Sequence, residues 1–204
     1  MGGGGGRGVI PESTSETATR VAATVPGPRP VVAAPTVIGV SIAVPEPWAT
    51  EIQDLRAGYG DPLARAIPTH VTLLPPTQLA AEALPRIGEH LRRVAAGQAP
   101  FRMQLRGSGT FRPVSPVTYV KLDQGLRECR VLEAAVRAGP LARELAFPYH
   151  PHITVGHGLP EDVLIRAESE LRGYWAEFEV TSFSLYRFGA DEVWRPMRAF
   201  DLSG

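Results

Sequence analysis

A histidine and a threonine recur together at two places in the chain. The stretches THVTLLPP and HPHITVGHG both contain the order histidine, apolar residue, threonine, apolar residue, and the second histidine follows the first by 82 residues. Residues two apart in a strand lie on the same face, so His70 and Thr72 would share one face, as would His152 and Thr154. Each strand would thus present an imidazole beside a hydroxyl and place its apolar residues in a core.

Two imidazoles and two hydroxyls across a cleft suit acid–base chemistry at phosphorus. Imidazole titrates near neutral pH, so one neutral ring can act as general base and one protonated ring as general acid. The two hydroxyls can donate hydrogen bonds to the non-bridging phosphoryl oxygens. This chemistry requires no metal, and the sequence has no aspartate or glutamate cluster at metal-ligand spacing. We therefore expect a site without a metal or cofactor.

The elements that must position these residues follow the same order in both halves. In the first half, TVIGVSIAVP predicts a strand, EPWATEIQDLRAGYG a helix, and THVTLL the histidine strand, with a turn at Pro75 and Pro76. The stretch TQLAAEALPRIGEHLRRVAAG predicts a helix that Pro85 dents, and a hairpin of FRMQLRGSGTFRP and VTYVKLD follows.

The second half repeats this pattern. VTYVKLD leads to the helix QGLRECRVLEAAVRAG, the histidine strand HITVGH, the helix EDVLIRAESELRG, and a hairpin of AEFEVTSFSLYRF and VWRPMRAFDL. Two copies of an α+β unit about 80 residues apart indicate an internal duplication, and such copies usually pack about a pseudo-two-fold axis. The axis would bring the two histidine strands together.

Length and composition restrict the class of protein. The 204 residues, 44% of them hydrophobic, can form one domain or two small lobes that share a core. Because 21 basic residues balance 21 acidic ones, the overall field would not concentrate long nucleic acid. With no signal-peptide pattern and no apolar run of roughly 20 residues, we expect a cytoplasmic protein. Residues 1–34, rich in Gly, Pro, Ser and Thr, are expected to be a disordered tail.

One H-x-T pattern alone would be weak support for a site, because threonine is common in strands. Two copies at corresponding places of a duplicated unit make chance a poor explanation. The other histidines suit catalysis less well. We expect His90 on an exposed helix face, His157 on the face opposite to His152, and His150 at the strand entrance, where it could line the edge of the cleft.

The motifs HVTL and HITV in a duplicated α+β chain resemble the paired H-x-[T/S]-x motifs of the two-histidine (2H) phosphoesterase superfamily. The stretches THVTLLPP and PHITVGH are most similar to those of its bacterial 2′-5′ RNA ligase-like branch, and the resemblance covers about residues 36–204. The resemblance implies an α+β, bilobal fold: two antiparallel-sheet lobes with outer helices, roughly residues 35–114 and 115–204, around a central cleft. It also implies metal-independent cleavage of 2′,3′-cyclic phosphodiesters and, in this branch, reversible joining of RNA ends through a 2′-5′ linkage.

Carried over by position, the resemblance makes His70 and His152 the acid and base, and Thr72 and Thr154 the phosphate-binding hydroxyls. We expect His70 to be the acid and His152 the base. The implied substrates are RNA ends or cyclic nucleotides, and we expect a monomer that acts without a membrane partner.

One departure from the family pattern affects the phosphate-binding residues. Family members often carry an arginine next to the second motif, whereas Tyr149, Pro151 and Gly156 occupy that neighbourhood here. Phosphate neutralisation would then fall to arginines elsewhere in the chain. The candidate substrate contacts are Tyr149, His150, Arg187, Arg112 and Arg65.

Two alternatives to this enzyme remain open at this stage. The cleft could hold a nucleotide or RNA end without turnover, although a pure binding module has no need of two imidazoles. The chain could instead cleave a small molecule other than RNA, such as ADP-ribose 1″,2″-cyclic phosphate, which the balanced charge modestly favours.

Overall fold

Two four-stranded antiparallel sheets are present in the computed structural model, which describes Met1 and residues 35–204. The strands of this part of the chain are β1 (Thr36–Ala43), β2 (His70–Leu79), β3 (Phe101–Thr110), β4 (Val117–Gln124), β5 (His152–His157), β6 (Trp175–Val180), β7 (Ser182–Phe188) and β8 (Trp194–Asp201). Its α-helices are α1 (Trp48–Gly58), α2 (Leu84–Ala96), α3 (Leu126–Val136) and α4 (Glu161–Glu170). The predicted α+β class with two antiparallel sheets is confirmed. The predicted tail, residues 1–34, lies outside the described residues apart from Met1.

Each sheet combines strands from both halves of the chain. The first sheet has the order β2-β1-β7-β8 and the second the order β5-β4-β3-β6. The sheets therefore do not coincide with the predicted lobes, residues 35–114 and 115–204. The second edge of β1 pairs with β7 and that of β4 pairs with β3, so the two halves of the chain exchange strands between the sheets. This exchange puts the histidine strands β2 and β5 at equivalent edges, where they contact each other.

Strand β2 continues through Pro75 and Pro76, where the sequence predicted a turn. Its pairing register with β1 shifts between Ile38 and Val40, so both prolines lie in an irregular stretch of the ladder. Proline cannot donate to a ladder and is tolerated at sheet edges and bulges. The predicted turn is wrong because β2 is an edge strand with a bulge.

Three further local predictions are corrected. Helix α2 begins at Leu84, so Pro85 lies in its first turn, where no N–H is needed, and does not dent the helix. The predicted strand AEFEVTSFSLYRF breaks at Thr181 into β6 and β7, which belong to different sheets. His90 is buried rather than exposed, and its Nε2 donates to the carbonyl oxygen of Val136 at 3.1 Å.

The helices pack their apolar faces on the sheets and form one hydrophobic core. Ile52 of α1 and Leu91 of α2 are fully buried, as are Cys129 and Leu132 of α3, at the helical spacing that the sequence shows. Burial of this kind supplies most of the free energy that holds such helices in place. Within residues 35–204, no helix has both the length and the apolar character needed to span a membrane.

A buried ion pair fixes the segment that leads into β2. The guanidinium of Arg56 lies 2.9 Å from Asp61 Oδ2, and the two side chains are 5% and 4% exposed. Arg56 also donates to the carbonyl oxygen of Ile67 at 2.8 Å, and Asp61 Oδ1 accepts from the backbone N–H of Leu63 at 2.9 Å. This pair therefore determines where the chain enters the first histidine strand.

We expect Arg56→Met to lower the free energy of unfolding by about 3–5 kcal/mol, because the carboxylate of Asp61 would remain buried without its partner. Arg65 provides a matched control, since it is 78% exposed and lies 3.8 Å from Asp54. Arg65→Met should cost less than about 1 kcal/mol. Urea unfolding followed by circular dichroism measures both free energies. Equal decreases for the two variants would show that the buried ion pair stabilises the fold no more than the exposed one.

Candidate active site

Two hydrogen bonds fix the ring of His70, the first residue of β2. Its Nδ1 donates to the carbonyl oxygen of Pro68 at 2.6 Å, and its Nε2 lies 3.1 Å from Thr72 Oγ1. Because a carbonyl oxygen only accepts, the neutral ring carries its proton on Nδ1. Nε2 therefore holds the lone pair and accepts from the hydroxyl of Thr72. His70 and Thr72 share one face of the strand.

His152 has the same anchor on β5. Its Nδ1 donates to the carbonyl oxygen of His150, again two residues earlier, at 2.7 Å. The neutral ring thus has the same tautomer as His70, with the lone pair on Nε2. Thr154 lines a polar cavity of about 120 Å³ together with His70, so the two motifs meet in one cleft.

Burial is the main influence on both imidazoles. It lowers the pKa of His70, and the charge of Arg56 lowers it further, against the opposing effect of the hydrogen bond to Pro68. Burial also lowers the pKa of His152. The hydrogen bond to the carbonyl oxygen of His150 raises this pKa, whereas the nearby rings of His150 and His70 lower it further. Both rings of the free protein are therefore neutral at neutral pH.

Aromatic side chains surround His152. The ring of Phe111 stands almost perpendicular to it at a centroid distance of 4.9 Å, and that of Tyr119 lies at 5.2 Å. His150 packs against the same two rings at 5.4 and 5.5 Å. These contacts restrict the orientation of His152 and reduce its access to water.

An apolar cavity of about 320 Å³ lies on the His70 side of the cleft. Trp194, Tyr186 and Leu74 form much of its wall, and Ser41 contributes a hydroxyl. The wall depends on Gly39, because a Cβ at this position would lie 3.2 Å from the indole of Trp194. The two histidines are thus anchored alike but have different surroundings.

Tyr149 links the segment before β5 to β2 through a hydrogen bond. Its hydroxyl donates to the backbone carbonyl oxygen of Thr72 at 2.9 Å, and burial raises its pKa. The bond holds the segment before β5 against β2. Tyr149 therefore contacts the backbone of the first motif.

The three candidate arginines line neither of these two cavities. Arg112 donates to Glu168 at 2.7 Å and to Thr110 Oγ1 at 3.0 Å. Arg65 is exposed near Asp54, and Arg187 is exposed on β7. Burial lowers the pKa of His150, which stands at the strand entrance as expected.

His157 was excluded from the cleft by strand parity, and the structure corrects this. The register between β4 and β5 shifts at Thr118 and Tyr119, so β5 contains a bulge before His157. Val155 and Gly156 are both buried, and His157 returns to the cleft, where it lines both cavities. A glycine inside a strand often marks a bulge, and Gly156 was the available signal.

Comparisons with known proteins agree with this architecture. LigT of Escherichia coli, solved with NADP+, superposes with a TM-score of 0.58 at 22% identity, covering 84% of this chain and all of LigT. A protein of Thermus thermophilus superposes with a TM-score of 0.56 at 26% identity, covering 82% of this chain and 98% of its own. The likeness to LigT shows a shared fold.

Sequence comparison identifies the family. A protein of Oceanobacillus iheyensis, provisionally named a phosphoesterase, is 28% identical over 166 residues, which cover 80% of this chain and 96% of its own. The sequence model of the 2′-5′ RNA ligase superfamily matches residues 44–192. With its fold and its two histidine motifs, the chain belongs to the 2′-5′ RNA ligase superfamily and is a phosphoesterase of the 2H type.

Proposed function

We propose that this phosphoesterase hydrolyses 2′,3′-cyclic phosphodiesters of RNA ends or nucleotides without a metal or cofactor. Joining of RNA ends through a 2′-5′ linkage would be the reverse reaction of the same site. The supporting observation is the shared anchoring of His70 and His152 on contacting strands. Each Nδ1 is bound to a carbonyl oxygen, which leaves each Nε2 for proton transfer.

The proposed roles of the two histidines differ. Nε2 of His152 takes a proton from water, the water oxygen attacks phosphorus, and the 3′-oxygen leaves with a proton from Nε2 of His70. Both rings are neutral in the free protein, so the anionic substrate must favour protonation of one of them. Once His70 is protonated, its Nε2 no longer accepts from Thr72. The hydroxyls of Thr72 and Thr154 can then donate to the phosphoryl oxygens.

The apolar cavity supports a nucleotide as the substrate. Its volume of about 320 Å³ lies within the range of small-ligand sites. The rings of Trp194 and Tyr186 offer flat apolar surfaces to a nucleobase, and the hydroxyl of Ser41 offers a polar contact. LigT, which shares the fold, has been solved with 3′-AMP and with ATP. Nucleoside cyclic phosphates are therefore the first substrates to test.

We expect turnover of the four nucleoside 2′,3′-cyclic phosphates to persist in EDTA, because the proposed proton transfers use imidazoles alone. Within residues 35–204, no group of three or more His, Cys, Asp or Glu side chains is arranged to hold a metal. His70→Ala and His152→Ala should each lower kcat by roughly 100-fold or more, as measured by chromatography of the products. Activity lost in EDTA and restored by a divalent metal would contradict the mechanism, and nucleotide binding without turnover would support a binding module.

The pH profile of kcat/KM should be bell-shaped, with its optimum on the acidic side of about 6.5, the ordinary pKa of imidazole. Burial lowers the pKa of both His70 and His152, so the free protein holds one proton on the pair only below that value. The optimum of kcat should lie at higher pH, because a bound anion raises both pKa values. The acidic and basic limbs of this profile report apparent pKa values of the coupled pair rather than of either histidine alone. A flat profile from pH about 5 to 8 would contradict this assignment.

The roles of the two histidines can be separated with an aryl phosphodiester whose leaving group is p-nitrophenolate. This leaving group needs no protonation, so His70→Ala should recover at least roughly tenfold of its lost activity on this substrate, relative to a cyclic nucleotide. His152→Ala should not recover, because its base is still required. Recovery of His152→Ala alone would exchange the two roles, and recovery of neither would mean that both rings act by holding the phosphate.

A further inference from the structure

A row of side chains crosses the second sheet, starting at His152. The pairing register places Lys121 of β4 opposite His152 of β5, and Trp175 of β6 opposite Arg106 of β3. Between β3 and β4 the register shifts, so Arg106 and Gly107 together lie opposite Lys121. Paired residues in a sheet share one face. Lys121, Arg106 and Trp175 therefore form a strip, the basic strip, that leads away from His152 over about 14 Å, or three strand spacings.

The basic strip lies on the open face of the sheet. Trp175 is 53% exposed and the side chain of Arg106 is 71% exposed. Their chain neighbours Leu105 and Ala176 pair with each other and are fully buried. Because successive side chains of a strand alternate between faces, Arg106 and Trp175 point away from the core. An exposed indole thus stands beside a cation in the line that begins at His152.

The two cations of the strip are free to bind an anion. Lys121 is the single lysine of the chain, and it forms no ion pair in the part of the chain that the structure describes. A Cβ on Gly107, whose φ is +68°, would lie 3.5 Å from Lys121 Cε, so the lysine side chain extends over β3. Arg106 lies 4.0 Å from Asp123 in an exposed pair. Exposed pairs of this kind contribute little and yield readily to another anion.

The neighbouring residues limit the strip to this row. Beyond it, Glu177 accepts from Arg102 at 3.1 Å and from Gln104 at 3.2 Å. Two cations and an indole in one line suit a single-stranded nucleic acid, because its phosphates and bases alternate along the chain. An acidic peptide would contact the cations but would gain nothing from stacking on the indole. Because the overall charge of the protein is balanced, such a strand must be held by a local surface of this kind.

We propose that the basic strip binds the RNA strand whose 5′-hydroxyl attacks phosphorus when two RNA ends are joined. This inference rests on the proposed function, since it assigns a place to the second RNA end of that reaction. The 5′-oxygen forms a bond to phosphorus while the bond from phosphorus to the 3′-oxygen breaks. His152 takes the proton of the 5′-hydroxyl, and His70 gives a proton to the 3′-oxygen. The nucleotides behind the attacking end lie along the strip, with phosphates at Lys121 and Arg106 and a base on Trp175.

Fluorescence anisotropy of a short single-stranded oligoribonucleotide, with a free 5′-hydroxyl and a label at its 3′ end, measures this binding. Lys121→Gln should weaken binding roughly fivefold or more and reduce the slope of log affinity against log salt concentration by about 0.7, the value for one lost phosphate contact. Trp175→Ala should weaken binding roughly fivefold or more without changing the slope, because stacking releases no counterions. Lys121→Arg and Trp175→Phe should retain most of the affinity. Arg92→Gln removes an exposed charge from α2, outside the strip, and should change neither quantity.

Turnover provides the second arm. Cleavage of a 2′-5′-linked oligonucleotide is the reverse of joining and occupies the strip, whereas a 2′,3′-cyclic mononucleotide has no second strand. Lys121→Gln and Trp175→Ala should therefore lose at least roughly fivefold more activity on the oligonucleotide than on the mononucleotide.

Three outcomes separate this proposal from its alternatives. Unchanged RNA affinity in both variants, or equal losses of activity on the two substrates, would overturn it. Displacement of the RNA by polyglutamate of equal charge, with no effect of Trp175→Ala, would also overturn it and indicate a surface for acidic peptides. If the wild-type protein turns over neither substrate while the binding results hold, the proposed function fails and the strip remains a surface for single-stranded RNA.

Discussion

The hydrogen bond from each motif histidine to a carbonyl oxygen two residues earlier is the interaction on which the candidate site depends. It puts the proton of the neutral ring on Nδ1 and leaves the lone pair on Nε2. The bond is local, because the carbonyl and the ring belong to the same strand entrance, at Pro68 for His70 and at His150 for His152. The fold must then bring the entrances of strands β2 and β5 together.

Burial gives these anchored rings their chemistry. Removing an imidazole from water disfavours its charged form, and both rings are affected in the same direction. In the proposed mechanism, two neutral imidazoles would leave the free site without the proton that the general acid must donate. An incoming phosphodiester supplies the negative charge that permits one ring to hold a proton. In the proposed mechanism, the substrate would thus create the protonation state needed for acid–base catalysis, and this would couple binding to the chemical step.

The sequence predicted those features that depend on local pattern. Strand alternation placed His70 with Thr72, helical spacing identified α1 and α3, and the repeated order of elements indicated that the two motifs meet. The features that it missed depend on pairing between distant segments. Strand alternation predicts the wrong face for His157 because β5 contains a bulge where it pairs with β4. Pro75 is tolerated inside β2 because β2 lies at the edge of its sheet. The exchange of strands between the sheets likewise depends on which strand edges remain unpaired. No single segment of the sequence contains this information.

The duplication makes the two halves chemically similar, so the direction of the proposed reaction would have to come from their surroundings. His152 is enclosed by Phe111 and Tyr119, whereas His70 opens onto an apolar cavity with Trp194 at its wall. A nucleoside that occupied this cavity would hold its ribose oxygens near His70. Water would then approach the phosphorus from the opposite side, near His152. In the proposed mechanism, this asymmetry would set the polarity of proton transfer, and it depends in part on the space that Gly39 leaves for the indole of Trp194.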